Sequence, residues 1–307
     1  MMNWKSLFLM ILLAALWGPS FVFIKVGVET IPPLTLVFGR VALAAVLLYL
    51  VLRWQHGRLP DSLTTWKHIS FVALVHNAIP FVLFAWGEQY VDSALASILN
   101  GTIPLFTILL AHFFTRDDRL TAAKVIGVLV GFAGMLVLVY PAFQDGVAGT
   151  AWGVLALVLA SFLYAVAIVY SRNHLRGLPP LVAPTGQMIM ASLYLLPLAL
   201  LLERPWTLPM PAVPSILSML ALAVLGTALA FIVYYRLLER AGASYLSMVA
   251  YMIPVFGIFF SVILLDEQVT GGMILGGALI LFGVMIVNGL FNAVLVRRVP
   301  QQVGAGD

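Results

Sequence analysis

Polar and aromatic residues interrupt the long apolar runs of this sequence at a few points, and they carry the chemistry that it offers. Trp17 precedes Gly18 and Pro19 inside the first run, and His76 and Asn77 lie side by side inside the third. An unpaired polar group costs several kcal/mol in hydrocarbon, so polar residues at such positions are functional candidates. Rings beside an amide and an imidazole favour the binding of a neutral, partly apolar solute.

Eleven residues make up the predicted substrate-binding site, and each is aromatic or carries an amide, imidazole or hydroxyl group. Ser97 and Asn100 are three residues apart, which places them on one face of a helix. Stacking of a solute ring on the aromatic side chains is worth about 0.5–1.5 kcal/mol per pair beyond burial. The alternative for these residues is packing between helices. The predicted residues are Trp17, Phe21, His76, Asn77, Phe81, Ser97, Asn100, Tyr164, Thr227, Tyr234 and Tyr251.

Arg40 is the one strong charge inside an apolar run. A long basic side chain in a membrane usually extends its charged head to the interface. We therefore expect Arg40 to snorkel, with Glu88 or Asp92 as a partner, rather than to contact the solute.

The sequence excludes some classes of site and leaves others open. It has no cysteine, so thiolate metal sites cannot occur, and we expect no metal and no cofactor. A pump for cationic drugs would need a carboxylate in the middle of a run, which we do not find, but multidrug or other metabolite efflux stays open as an alternative. An intramembrane enzyme is the remote alternative, because an HExxH motif is absent and only His76 with Ser97 or Ser161 could form a dyad. We expect no catalytic residue.

The elements that position these residues are membrane-spanning helices. The chain is 63% hydrophobic and 9% charged, whereas about a quarter of residues are charged in a soluble protein. Runs of about 20 apolar residues predict an all-α integral membrane protein. Ten helices are predicted, over residues 7–27, 34–54, 68–88, 93–114, 122–140, 150–171, 181–202, 215–237, 243–264 and 272–294.

The basic residues predict the orientation of these helices. With the N-terminus in the cytoplasm, the outer segments hold only Lys25 and Arg204, as the positive-inside rule requires. Both termini are then cytoplasmic. The inner segments hold Lys5, Arg53, Arg58, Lys67, Arg116, Arg119, Lys124, Arg172, Arg176, Arg236, Arg240, Arg297 and Arg298.

The second half of the chain repeats the first. Pro32 matches Pro179 at an offset of 179 − 32 = 147, and Pro104 matches Pro254 at an offset of 254 − 104 = 150. Five helices per unit is an odd number, so the second unit must be inverted in the bilayer. We expect one repeat over residues 1–145, a second over 146–294 and a cytoplasmic tail over 295–307. The offset of 147 also sets Tyr164 against Trp17.

These features together resemble the drug/metabolite transporter (DMT) superfamily, in its EamA-type branch. The residues that carry the resemblance are the Trp-Gly in helix one, the Pro-Pro ahead of helix two, the "FGR" within it, the prolines of helices four and nine and the glycines of helices five and ten. Within the branch, the sequence is most similar to YddG-type exporters of aromatic amino acids from the bacterial inner membrane. The resemblance implies a basket-shaped ten-helix fold with a cavity lined by helices one, three, four, six, eight and nine. It also implies a secondary transporter that exports amino acids or similar metabolites by alternating access.

The expected partners are a small-molecule substrate and the lipid bilayer, without nucleic acid. G-x-x-x-G patterns start at Gly127 and Gly272, and such faces serve either a dimer or packing inside one bundle, so the chain is a monomer or a homodimer. His76 is the one mid-membrane group that titrates near neutral pH. We expect passive facilitated transport, with proton coupling through His76 as the alternative.

Overall fold

The computed structural model describes residues 4–115, 120–144 and 148–289, without the side chains of 148 and 243–245. In this part of the chain all regular secondary structure is helical, and nine helices are long and apolar enough to cross a membrane. A tenth apolar helix, Gly271–Val287, is shorter. The predicted all-α membrane fold is confirmed.

The ten helices follow the predicted runs closely. The last one was predicted to reach residue 294, but it ends at Val287, and residues 290–294 lie outside the described part of the chain. The helices are α1 (Trp4–Gly27), α2 (Pro33–Trp54), α3 (Leu63–Gly87), α4 (Ser93–Phe114), α5 (Ala122–Gln144), α6 (Ala148–His174), α7 (Val182–Thr207), α8 (Val213–Ala241), α9 (Ala243–Leu265) and α10 (Gly271–Val287).

Helix α1 is interrupted at Gly18 and Pro19, between the segments Trp4–Trp17 and Ser20–Gly27. Proline lacks the N–H that would continue the helical hydrogen bonds. Gly18 has a second role, because a Cβ added there would lie 2.4 Å from Cβ of Phe256 in α9. The break therefore interrupts the helical hydrogen bonding of α1 and lets α9 approach it closely.

Helices α3 and α8 each contain one wide turn of π-helix at matching positions. The turns span Ala73–Ala78 and Val224–Leu229, related by an offset of 224 − 73 = 151. A π-turn loosens the regular hydrogen bonding of a helix and is frequent at functional sites. His76 and Thr227 occupy equivalent places in the two turns, since 227 − 76 = 151.

The helix contacts obey the same internal symmetry. Helix α1 packs against α8 and α9, and its counterpart α6 packs against α3 and α4. The counterparts α2 and α7 pack on each other, as do α4 and α9, and α5 and α10. The bundle is thus two five-helix repeats that meet along matching helices.

Glycines bring α5 and α10 together within one chain. A Cβ added at Gly134 would lie 2.6 Å from the carbonyl oxygen of Gly276, and one added at Gly283 would lie 2.5 Å from that of Gly127. Gly272, in contrast, has only the Thr270 hydroxyl at 3.7 Å. Gly127 and Gly276, one from each G-x-x-x-G pattern, therefore serve packing inside the bundle.

Two carboxylates join the repeats at the end of the bundle opposite Trp4, called here the distal end. Glu203 of α7 accepts hydrogen bonds from the backbone N–H groups of Leu34 and Thr35 at 2.8 and 2.7 Å. Glu267, which follows α9, accepts hydrogen bonds from the N–H groups of Ser93 and Ala94, both at 2.9 Å. Each carboxylate satisfies free N–H groups at a helix N-terminus and complements the helix dipole.

Candidate functional site

Two predicted aromatic residues at matching positions of the repeats each contact the opposite repeat. The ring of Trp17 in α1 lies 6.0 Å from that of Tyr234 in α8. Tyr164 in α6 lies 5.2 Å from the imidazole of His76 in α3, edge to face. All four side chains are partly buried. The internal symmetry therefore places one ring pair where α1 packs on α8 and one where α6 packs on α3.

Two phenylalanine side chains of α3 lie close to the ring of Tyr164. Phe81 and Phe84 lie 6.4 and 6.0 Å from it, and Phe84 lies 5.7 Å from Phe21 of α1. Phe84 is absent from the predicted site, although its spacing of three residues from Phe81 places it on the same helix face. We use the name central cluster for two groups of side chains taken together, a linked group and the Trp17–Tyr234 pair. The linked group consists of Phe21, Arg40, His76, Phe81, Phe84, Tyr164 and Thr227.

The π-turn of α3 carries two side chains with unpartnered polar atoms next to the central cluster. Nδ1 of His76 and both amide atoms of Asn77 are buried and make no hydrogen bond to the described residues. The predicted alternative, in which these side chains bridge helices through hydrogen bonds, is not observed for these atoms. Because an unpaired amide in a membrane interior is costly, the site is suited to a polar ligand.

Arg40 does not snorkel, so the expectation for this residue was wrong. Its side chain is buried, and Nε donates a 2.9 Å hydrogen bond to the hydroxyl of Thr227 in α8. The guanidinium carbon lies 3.9 Å from the centre of the Phe81 ring. A guanidinium is weakly hydrated and stacks on rings, which allows it to lie inside the bundle. The central cluster therefore contains one fixed positive charge.

The predicted partners of Arg40 lie at the distal end instead. Both carboxylate oxygens of Glu88 are buried and without a hydrogen bond among the described residues, so its interaction with Arg40 is at most long-range. Nζ of Lys25 donates to the backbone carbonyls of Glu88 and Val91, both at 2.7 Å. Burial raises the pKa of Asp92, the Glu267 carboxylate raises it further and Lys25 opposes the shift.

Three predicted site residues have their contacts elsewhere. Ser97 donates to the carbonyl of Ala94 at 2.8 Å and is buried where α4 meets Gly257 of α9. The hydroxyl of Tyr251 donates to the carbonyl of Val284 in α10 at 3.2 Å. Asn100 is partly buried at the end of the first segment of α4. Of the aromatic and polar residues predicted on α4 and α9, none forms a hydrogen bond or ring contact with the central cluster within the described residues.

No group of three or more His, Cys, Asp or Glu side chains that could hold a metal ion occurs within the described residues. The donors of the central cluster and of the adjacent Asn77 are instead one guanidinium, an imidazole, an indole, an amide and hydroxyls. Such groups bind a small organic solute by hydrogen bonds and ring contacts.

Comparison with known proteins agrees with this architecture. The sequence model of the EamA-like transporter family matches residues 4–140 and 151–289. The uncharacterized transporter YoaV of Bacillus subtilis is 27% identical over 90% of this chain and 94% of its own. An uncharacterized transporter of Archaeoglobus fulgidus is 26% identical over 94% of this chain and 98% of its own.

Two further similarities concern an enterobacterial relative and a solved structure. The uncharacterized inner membrane transporter YedA of Escherichia coli is 24% identical over 89% of this chain and 87% of its own. One crystal structure superposes with a TM-score of 0.66 over 97% of this chain and 100% of that chain, at 19% identity. That likeness concerns the fold alone.

Proposed function

Because this chain belongs to the EamA-like transporter family, we propose that it exports small neutral metabolites, above all aromatic and other amino acids, by alternating access. The relatives are named transporters, which supports the transport role and leaves the solute open. The solute class proposed here agrees with the resemblance to YddG-type exporters. The proposed location is the bacterial inner membrane, with both termini in the cytoplasm.

The observation that carries this proposal is the group of unpartnered polar atoms beside the ring of Tyr164. His76 and Asn77 offer hydrogen bonds in the middle of α3, and the ring of Tyr164 is 5.2 Å from the imidazole. A zwitterion with an aromatic side chain presents both kinds of partner, a ring and hydrogen-bonding groups. The two repeats then rock about the central cluster to expose it to one side of the membrane at a time.

Counterflow in proteoliposomes tests the proposal. Proteoliposomes that hold the purified protein are preloaded with unlabelled solute, and uptake of labelled aromatic amino acids, aliphatic amino acids, nucleosides and cationic dyes is compared. Phenylalanine, tyrosine or tryptophan should exchange faster than the dyes. Exchange of cationic dyes alone would contradict the proposed solute class and favour the multidrug alternative.

Substitutions locate the site within the protein. Trp17→Ala and Tyr164→Ala should raise the half-saturation concentration for aromatic amino acids about two- to twelve-fold, since one ring pair is worth about 0.5–1.5 kcal/mol. Matched controls are Trp152→Ala and Tyr140→Ala, because those side chains are 62% and 63% exposed on the outside of the bundle. Equal effects of the site and control substitutions would place the solute elsewhere.

A further inference from the structure

We propose that Arg40 is the carboxylate-binding residue of this transporter and that Thr227 positions its guanidinium. The inference rests on the proposed function, because it assumes that the solute passes through the central cluster. It extends that function by assigning the charged end of the solute to one side chain.

The first line of evidence is the hydrogen bonding of the guanidinium. In the described part of the chain it makes one side-chain hydrogen bond, from Nε to Oγ1 of Thr227. The two Nη groups therefore keep their donors for a ligand. A guanidinium with free donors matches the two oxygens of a carboxylate, which Arg binds with paired hydrogen bonds.

The second line of evidence is the lack of a close counter-charge. Arg40 is 7% exposed, and Glu88, a carboxylate that acts on it electrostatically, makes no hydrogen bond to it. Charged side chains inside a membrane bundle usually pair with each other or mark a ligand pathway. A solute carboxylate would supply the missing partner in direct contact.

The third line of evidence is the way in which neighbouring groups fix the guanidinium. Thr227 donates its own hydroxyl proton to the carbonyl of Leu222 at 2.8 Å, so its oxygen is oriented to accept from Nε. This bond reaches back five residues, from the π-turn of α8 to the α-helical segment that precedes the turn. Phe81 covers one face of the guanidinium at 3.9 Å. The geometry leaves the Nη edge as the accessible side.

The position of Arg40 also fits a solute that has a ring. Phe81, under the guanidinium, lies 6.4 Å from the ring of Tyr164, which in turn contacts His76. A carboxylate on Arg40 therefore leaves the rest of the solute next to Tyr164. The matching position of the second repeat holds Gln187, since 187 − 40 = 147, so the charge occurs once and gives the solute one orientation.

The experiment compares solutes that carry or lack the carboxylate, the amine or the ring. Competition with labelled phenylalanine exchange is measured for phenylalanine, phenylacetate, phenethylamine and alanine, in wild type, Arg40→Gln and Arg40→Lys. Arg53→Gln is the control, because Arg53 is exposed at the other end of α2. Arg40→Gln should weaken phenylalanine and phenylacetate about ten-fold or more relative to phenethylamine, as hydrogen bonds between charged groups are among the strongest in proteins. Arg40→Lys should recover part of the loss, because lysine keeps the positive charge but cannot form the paired hydrogen bonds of a guanidinium.

A purely structural role for Arg40 predicts a different pattern. It would lower exchange of every solute by the same factor, and that result would overturn the assignment. If Arg40→Gln does not fold, as judged by size-exclusion chromatography, Thr227→Val provides the second variant. Thr227→Val should weaken the two aromatic carboxylates selectively, and an unchanged ratio of phenylalanine to phenethylamine in both Thr227→Val and Arg40→Lys would also overturn the assignment.

The failure of the proposed function would look different from the failure of this inference. Loss of alanine binding in the Arg40 variants, together with equal binding of ring-bearing and aliphatic carboxylates in the wild type, would support Arg40 and contradict the aromatic solute class. Ring selectivity that depends on Trp17 and Tyr164 but not on Arg40 would support the aromatic solute class and contradict the role of Arg40. No competition by any carboxylate in the wild type would overturn both.

Discussion

Replacing Gly283 in α10 by alanine should destabilise the protein, whereas the same change at Gly272 should not. A Cβ at Gly283 would lie 2.5 Å from the carbonyl oxygen of Gly127 and 2.6 Å from the backbone nitrogen of Gly131, both in α5. The neighbours are backbone atoms, so no side-chain rotation relieves the contact. Ordinary contact begins at 3.4 Å, and the helices must therefore separate locally by 3.4 − 2.5 = 0.9 Å.

The size of the effect follows from this displacement. Overpacking of a well-packed core costs about 1–3 kcal/mol. Alanine is about 1 kcal/mol better than glycine inside a helix, a gain that offsets part of this cost at Gly283 and is smaller at Gly272, which lies in the first turn of α10. Gly283→Ala should thus lower the free energy of unfolding by up to about 2 kcal/mol relative to Gly272→Ala, for which the nearest atom is 3.7 Å away.

Unfolding of both variants in mixed micelles, followed by circular dichroism over a series of SDS concentrations, measures the difference. Light scattering on the same samples should give the same particle mass for both, because the Gly283 contact lies within one chain. A Gly283→Ala protein as stable as Gly272→Ala would refute the packing argument. Dissociation of an oligomer without loss of stability would assign the glycine face to a dimer.

Three further predictions concern the distal end, the orientation and the energy source. Glu203→Gln and Glu267→Gln should each lower the free energy of unfolding by about 1–3 kcal/mol relative to the exposed control Glu239→Gln, since each carboxylate binds two backbone N–H groups at a helix N-terminus. If these bonds were dispensable, thermal unfolding in detergent would show no difference between the variants and the control. Reporter fusions after residues 60, 118 and 298 should be cytoplasmic and fusions near 145 and 207 periplasmic, and a periplasmic C-terminus would contradict the inverted arrangement. Proteoliposomes with a pH gradient and equal solute on both sides should show no net accumulation, and the His76→Gln variant should keep its exchange activity. If the wild type accumulates solute, and His76→Gln abolishes this accumulation while counterflow survives, His76 is the coupling residue.

The sequence alone was sufficient for the helices, the repeats and the family resemblance. Hydropathy and length are local properties, and a segment of about 20 apolar residues has few alternatives to a helix in a bilayer. The nearly constant offset of the prolines predicted the pairing of repeats, and it placed Trp17 and Tyr164 at matching positions. Their contacts with Tyr234 and His76 then follow from the packing of α1 on α8 and of α6 on α3.

The environment of Arg40 could not be read from the sequence, because the residue that binds it lies 187 positions away in the chain. Whether a long basic side chain reaches the interface or turns inward depends on the neighbours that the fold supplies, here Thr227 and Phe81. Glu88 is the last residue of the third predicted helix, yet helices pack around it and leave it 0% exposed.

The tertiary structure also decided between residues that the sequence treats alike. Gly272 and Gly276 belong to one G-x-x-x-G pattern, but only Gly276 faces α5, where a Cβ would lie 2.8 Å from the carbonyl oxygen of Gly134. Ser97 and Thr227 are both small hydroxyl residues in apolar helices, but Ser97 packs against Gly257 and Thr227 holds Arg40. Composition and spacing determine which segments become helices, whereas the rotation of each helix about its axis determines which side chains meet. That rotation is set by side-chain packing between helices distant in the sequence.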